Sequence, residues 1–352
     1  MKSLQERLAD FRRLTGVELP IMNAPMAGVT TPEMVAAVSD AGGLGVLAAD
    51  FLDADEITRA VARVREKTDK PFAVNLRVPV FEKNVDITPL TQALQALREE
   101  LGCPETIELP DFDAQFEAVL DASVPVVRVA FGGFREIYAD KLKDRGVRII
   151  GAATTLREAK VQRAAGADAV VVQGAEAGGP RLSFESRDED LVGLMSLIGP
   201  AGRATRLPII ASGGIASAFQ MAASLVAGAY AVEVGTYLVR TRQSTLSKAY
   251  DSALEFACDT DARLTRLISG RLTRALPGAL FQALKEADIA ALPYPAQLTA
   301  LLPIYRAALE KERYDLVPLS CGQSIPARVP EETADAVTLL CKECRDLLQE
   351  VL

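Results

Sequence analysis

The chain has no histidine in its 352 residues. That absence excludes any imidazole base, catalytic triad or histidine-ligated metal, and removes the side chain best matched to proton transfer near neutral pH. Cysteine is scarce as well. Cys103, Cys258, Cys321, Cys341 and Cys344 are odd in number and scattered, which does not fit a disulfide framework. Cys341 and Cys344 form one CxxC within a helical pattern, with no second CxxC and no histidine to complete a zinc site. They read as two partly buried thiols on a helix face, and no metal is expected. Excess positive charge is missing too: 39 Lys and Arg stand against 47 Asp and Glu, a net charge of -8. A nucleic-acid partner would require the opposite balance. No stretch approaches the ~18 apolar residues of a membrane span, and the opening MKSLQERLADFRRL is charged throughout, unlike a signal peptide. These absences predict a cytoplasmic protein with a small-molecule substrate and no membrane or nucleic-acid partner. A homodimer stays open.

What is present is an apolar-rich chain, 49% hydrophobic and 24% charged. That suits one large barrel with an elaboration, or two ordinary domains. Leu4, Leu8, Phe11 and Leu14 recur at helical spacing, which predicts an opening amphipathic helix that covers the bottom of the succeeding domain. From Ile21 onward, short β-rich runs alternate with helical stretches that end near glycine: IMNA, LGVLAA, FAVNL, VPVVRVA, VRIIGA, DAVVVQG, LPIIAS and YAVEVGT. Continuous apolar strands separated by helices indicate a covered parallel sheet, and their number predicts a (β/α)8 TIM barrel over residues 1–242. Residues 77–123 and 180–206 break the spacing and read as insertions, the second a mobile lid. Residues 243–352 read as a helical cap or substrate region, ending in a helix marked by Val337, Leu340, Cys344, Leu347, Leu348 and Val351.

In such a barrel the working residues sit where the strands end at their C-terminal side. Ser212-Gly213-Gly214 follows the seventh strand and Gly235-Thr236 the eighth. Glycines there let backbone N–H groups approach an anion, so the pair reads as a phosphate site. The sixth strand ends in Gln173-Gly174-Ala175-Glu176-Ala177-Gly178-Gly179-Pro180-Arg181, polar groups beside a flexible GG. The first strand ends in Asn23-Ala24-Pro25-Met26 and the third carries Asn75. A small apolar floor with an amide beside it suits a flat heteroaromatic ring with polar edges, although Met26 alone is as readily core packing.

The order PIMNAPMAGVTTPEMVAAVSDAGGLGVL, PFAVNL, GVRIIGAATTLREAKVQRAAGADAVVVQGAEAGGPR, LPIIASGGI and AYAVEVGT resembles the nitronate monooxygenase (2-nitropropane dioxygenase) family and its relatives, the flavin-type enoyl-acyl-carrier-protein reductases. SGRLTRAL (269–276) and CGQS (321–324) resemble the family's C-terminal region. The resemblance implies FMN, with Ala24, Pro25 and Met26 along the ring, and Asn75 and Gln173 at its polar edges. Gly178, Gly179, Ser212, Gly213, Gly214, Gly235 and Thr236 are implied around the phosphate. One departure matters. Where the family commonly has EAGGH, this chain has Glu176-Ala177-Gly178-Gly179-Pro180. The imidazole that takes a proton from a neutral nitroalkane is replaced by a ring with no titratable group, which leaves Glu176 as the nearest candidate base and Arg181 as a candidate anion ligand. The implied activity is oxidation of an ionised nitronate or similar carbanion by FMN with O2, for which a base is not needed. Two alternatives are reduction of an activated double bond with NAD(P)H, with an acyl-carrier-bound substrate under the cap, and a catalytically silent flavin-binding or partner-binding protein.

Overall fold

The computed structural model describes residues 2–79, 85–187, 189–326 and 328–351. Residues 80–84 of the expected 77–123 insertion and Asp188 of the expected lid lie outside the described residues. So does the side chain of Val351.

Strands form at every anticipated run. In chain order they are β1 (Ile21–Asn23), β2 (Gly45–Ala48), β3 (Phe72–Arg77), β4 (Val126–Ala130), β5 (Arg148–Ala153), β6 (Ala169–Gln173), the two-residue β7 (Gly179–Pro180), β8 (Ile209–Ser212) and β9 (Ala231–Val234). All but β7 are parallel neighbours in the order β1-β9-β8-β6-β5-β4-β3-β2, and a single bridge between Met22 and Leu44 brings the ends together. The result is a nearly closed eight-stranded barrel. Its strands read as largely apolar runs without alternation because one face fills the lumen and the other meets helices. The lumen is packed by Met22, Val46, Ala73, Val126, Ile150, Val171, Ile210 and Ala231, with Phe11 among them. Phe11 comes from helix α1 (Leu4–Thr15), whose start is fixed by a reciprocal capping box between Ser3 and Glu6. Arg7, on the same helix, donates to the carbonyls of Leu225 and Ala229.

Among the described residues, seven helices follow strands directly or after a detour: α2 (Pro32–Asp40), α3 (Ala54–Arg65), α6 (Phe112–Asp121), α7 (Glu136–Asp144), α8 (Leu156–Ala164), α9 (Leu194–Thr205) and α10 (Ala218–Val226). The detour before α6 holds the short α4 (Thr88–Ala93) and α5 (Gln95–Leu101). The segment 180–206 is therefore not loop throughout, since α9 is the regular helix after β6. Its approach is also tethered. The buried carboxylate of Glu158 accepts from the backbone N–H groups of Phe184, Glu185 and Ser186 through one oxygen, and from Thr154 through the other.

The region after β9 differs from a purely helical cap. It holds α11 (Ser247–Leu254), α12 (Ala279–Glu286) and α13 (Ala296–Glu310), but also β10 (Arg263–Thr265), β11 (Thr273–Leu276) and β12 (Leu319–Ser320). These strands form a small antiparallel sheet that β7 joins through its pairing with β11. The last helix, α14 (Thr333–Val351), leaves the cap. Ala336, Val337, Leu340, Cys341 and Cys344 pack with Met34 and Val38 of α2 and Met221 and Leu225 of α10, so α14 completes the helical layer around the barrel. Burial pushes the Cys341 thiol up to about 12 and that of Cys344 up to about 11, as expected for inert packing thiols.

The seam between β1 and β2 needs more than one bridge. Asn23, fully buried, supplies it: its Oδ1 accepts from Val46 N at 2.7 Å and its Nδ2 donates to Val46 O at 2.9 Å. The side-chain amide thus pairs one residue of β2 as a neighbouring strand would. Asn23→Leu should destabilise the fold by about 1–3 kcal/mol for each of the two backbone groups it orphans. Urea denaturation measures this, and a change below about 0.5 kcal/mol would show that the seam is held elsewhere.

Candidate active site

One cavity of about 410 Å³ opens at the C-terminal ends of the barrel strands and runs up under the cap. Ala24, Pro25, Met26, Asn75, Gln173, Gly178, Gly179, Ser212, Gly213, Gly214, Gly235 and Thr236 all line it, and Pro180 lines it too. Residues spread over more than two hundred positions of sequence therefore meet in one place, as strand ends in a barrel must.

The cavity floor is polar and internally paired. Arg128 of β4 reaches across to Glu233 of β9, with Nε donating to Oε2 at 2.8 Å and Nη2 to Oε1 at 3.1 Å. Its Nη1 donates to Asn75 Oδ1 at 2.7 Å, while Ser212 Oγ donates to Glu233 Oε1 at 2.9 Å. Asn75 Nδ2 in turn donates to Asp50 Oδ2 at 2.9 Å. Such charges are tolerated at this depth because each is matched by an opposite charge and further hydrogen bonds. Gln173 is fixed as well: its Nε2 donates to Pro180 O, and its Oε1 accepts from Leu182 N.

The glycines serve packing as well as access. Gly213 and Gly214 hold φ of 106° and 68°, and a Cβ there would lie 3.0 Å from Ala177 and 2.9 Å from Glu176. Bare backbone at these positions lets the loop after β6 lie flush on the turn after β8. A strap from the cap then covers both. Ser324 Oγ donates to Gly214 O, Gly322 N donates to Thr236 Oγ1 and Gln323 N donates to Glu176 O. A Cβ on Gly178 would meet the backbone of Cys321 and Gly322 at 2.5 to 2.6 Å, so the loop needs glycine under the strap. Burial raises the Cys321 thiol to about 11, which removes it from nucleophilic chemistry.

Two expected functional residues lie elsewhere. Glu176 does not line the cavity: both carboxylate oxygens accept from Leu194 N, at 3.0 and 3.1 Å. The N-cap of α9 is Gly193, which has no side chain to cap with, and Glu176 performs that task from across the loop. Arg181 is buried and turned to the backbone, donating from Nη1 to Gly174 O at 2.7 Å and Gln173 O at 3.3 Å. Several lining residues went unread in the sequence. Asp50 and Arg77 stand at the ends of β2 and β3, while Arg271 and Tyr294 come from the cap. The two guanidiniums share the rings of Phe131 and Tyr294: Arg77 lies 5.7 and 5.3 Å from their centroids and Arg271 4.3 and 4.7 Å. Arg128 and Glu233 carried one signal, a charge of each sign inside an otherwise apolar strand.

The fold and the cavity at its strand ends define a (β/α)8 enzyme. The sequence profile of the family described as nitronate monooxygenase matches residues 9–343. The chain is 33% identical over 324 residues to a probable nitronate monooxygenase of Staphylococcus saprophyticus, covering 89% of this chain and 91% of that one. It is 30% identical over 349 residues to a probable nitronate monooxygenase of Bacillus subtilis, covering 95% and 98%. Among solved structures it is similar to nitroalkane oxidase from Streptomyces ansochromogenes, at 32% identity, TM-score 0.82 and coverage of 96% and 99%. It is also similar to FabK from Thermotoga maritima, at 25% identity, TM-score 0.74 and coverage of 97% of each chain. The chain belongs to the nitronate monooxygenase family, and with that it is a flavin-dependent oxidoreductase.

Because Glu176 caps α9, Glu176→Ala should cost about 0.5–2 kcal/mol of stability. A catalytic base would instead contribute ~10²–10⁴-fold to turnover of a neutral nitroalkane relative to its nitronate. Thermal melts with paired kinetics on both substrates decide: a ratio lowered by that factor at unchanged stability would return Glu176 to the reaction.

Proposed function

We propose that the cavity binds FMN and that the enzyme oxidises a nitronate, or a related small carbanionic substrate, with O2. The observation that supports this is the convergence on one cavity of every residue the family resemblance implies for FMN. Ala24, Pro25 and Met26 would lie along the flavin ring, with Asn75 and Gln173 at its polar edges. Gly178, Gly179, Ser212, Gly213, Gly214, Gly235 and Thr236 would surround the phosphate. The fit is one of shape: a Cβ on Gly235 would sit 3.4 Å from Ala24 Cβ and 3.6 Å from Met26 Sδ, narrowing the slot where a flat ring would lie. Bound FMN would accept the substrate's electrons and pass them to O2. The protein's own part is to hold an anion. Arg77 and Arg271 line the cavity beside the apolar side chains of Leu246, Leu298 and Leu302, so a negatively charged head and an alkyl body are both accommodated.

The same apolar lining favours one alternative, reduction of an activated double bond with NAD(P)H on an acyl-carrier-bound substrate, and the likeness to FabK points the same way. The working compartment in either reading is the cytoplasm.

The purified protein should be yellow and release FMN on denaturation, identified by chromatography against FMN and FAD. Under anaerobic conditions ethyl nitronate should bleach the flavin, and NAD(P)H should not. Bleaching by NAD(P)H alone would move the assignment to the reductase. Gly213→Asp should raise the Kd for FMN at least tenfold, equivalent to about 1.4 kcal/mol, because a carboxylate is set against the phosphate site. Circular dichroism controls for the strain of a side chain at that φ, and an unchanged Kd in a folded variant would remove the phosphate from this turn.

A further inference from the structure

Among the described residues, two carboxylates line the cavity, Asp50 and Glu233. They are not equivalent. Glu233 has both oxygens occupied, by Arg128 and by Ser212. Asp50 is held by one oxygen: Oδ2 accepts from Asn75 Nδ2 at 2.9 Å. Its Oδ1 lies 3.9 Å from Arg77 Nε, an ion-pair distance too long for a hydrogen bond, and its side chain is 11% exposed. The carboxylate is therefore aimed by a relay that begins at Glu233 and passes through Arg128 and Asn75, while one oxygen is left for something else. A positioned and mostly buried acceptor of this kind, on the wall of the cavity, meets the geometric requirement for a general base.

We propose that Asp50 is the base that removes the α-proton of a neutral nitroalkane in this histidine-free site. The assignment rests on the nitronate reading above and extends it to un-ionised substrates. In the step the α C–H bond breaks and the proton passes to Asp50 Oδ1. The C–H electron pair becomes the C=N bond, and the negative charge moves onto the two nitro oxygens, giving the nitronate. Cations line the same cavity. Arg77 faces Asp50 from β3, Arg271 and Tyr294 from the cap, and Arg306 of α13 donates to the carbonyl of the adjacent Phe51. Burial holds the Tyr294 hydroxyl above its usual range, so it stays neutral beside them. The same arginines favour the anionic product.

The test separates proton transfer from redox chemistry. Exchange of the α-hydrogens of nitroethane in D2O is followed by NMR under anaerobic conditions, with flavin-loaded and with flavin-stripped protein. Wild-type protein should accelerate exchange over buffer, and Asp50→Asn should lose ~10²–10⁴-fold of that acceleration. The ratio of kcat/KM for nitroethane to that for ethyl nitronate should fall by the same factor, and the acid limb of the nitroethane pH profile should disappear. Asp50→Glu, which keeps a carboxylate, should recover part of the exchange and retain the limb. It also carries the test if the Asn variant loses its fold, as judged by circular dichroism. Exchange by folded Asp50→Asn at the wild-type rate overturns the assignment, as does wild-type exchange no faster than buffer or an Asp50→Glu profile without an acid limb. Those outcomes leave nitronate oxidation standing. Failure of ethyl nitronate to bleach the flavin would overturn the oxidation reading instead, and the exchange assay would still report on Asp50.

Discussion

The ion pair between Arg128 and Glu233 sets the level at which the barrel stops being core and becomes a site. The two residues stand on β4 and β9, strands separated by β5, β6 and β8 in the sheet, so the pair spans the lumen rather than linking neighbours. Below it the lumen is filled by aliphatic side chains and Phe11. Above it lie Asn75, Ser212, Asp50 and the cavity. Two charges taken this far from water would be unfavourable alone, since their mutual attraction only roughly offsets the desolvation each undergoes. Asn75 and Ser212 supply the extra hydrogen bonds that tip the balance. Removing either partner would leave a bare charge in a dry lumen, a far larger disturbance than losing one contact.

Much of the fold could be read from the sequence because a doubly covered parallel strand leaves a strong mark. LGVLAA, FAVNL and DAVVVQG are apolar without alternation, and no other common element has that pattern at that length. The glycine pairs were equally visible, and their positions at strand ends led to the cavity. What failed to show was partner choice. The amphipathic pattern of residues 333–351 announces a helix but not whether its face meets the cap or the barrel, and it meets α2 and α10. Glu176 shows the same limit at the scale of one side chain. A carboxylate beside a GG looks catalytic until the chain folds back and presents Leu194 N, eighteen positions on in sequence and 3.0 Å away. Asp50 was overlooked for the opposite reason. An acid just after a strand reads as a turn residue, and only the placement of Asn75 and Arg77 on the next strand gives it a context.

The loops of the site are fitted to one another as much as to a ligand. Gly213 and Gly214 make room for Glu176 and Ala177, Gly178 makes room for Cys321 and Gly322, and the strap binds all three strand ends together. The QGAEAGG, ASGG, VGT and CGQS segments are thus four sides of one packed object. A substitution in any of them is felt by the others through contact, before any cofactor is considered.

The place of α14 also orders the birth of the protein. A chain leaving the ribosome presents its N-terminal elements first, at roughly 5–20 residues per second. Every barrel strand is made by residue 234, yet the helix that covers α2 and α10 begins only at Thr333. For the intervening seconds, the apolar faces of Met34, Val38, Met221 and Leu225 have no cover, and the strap that locks the site has not been made. Closure of the helical ring and completion of the site are therefore late and nearly simultaneous.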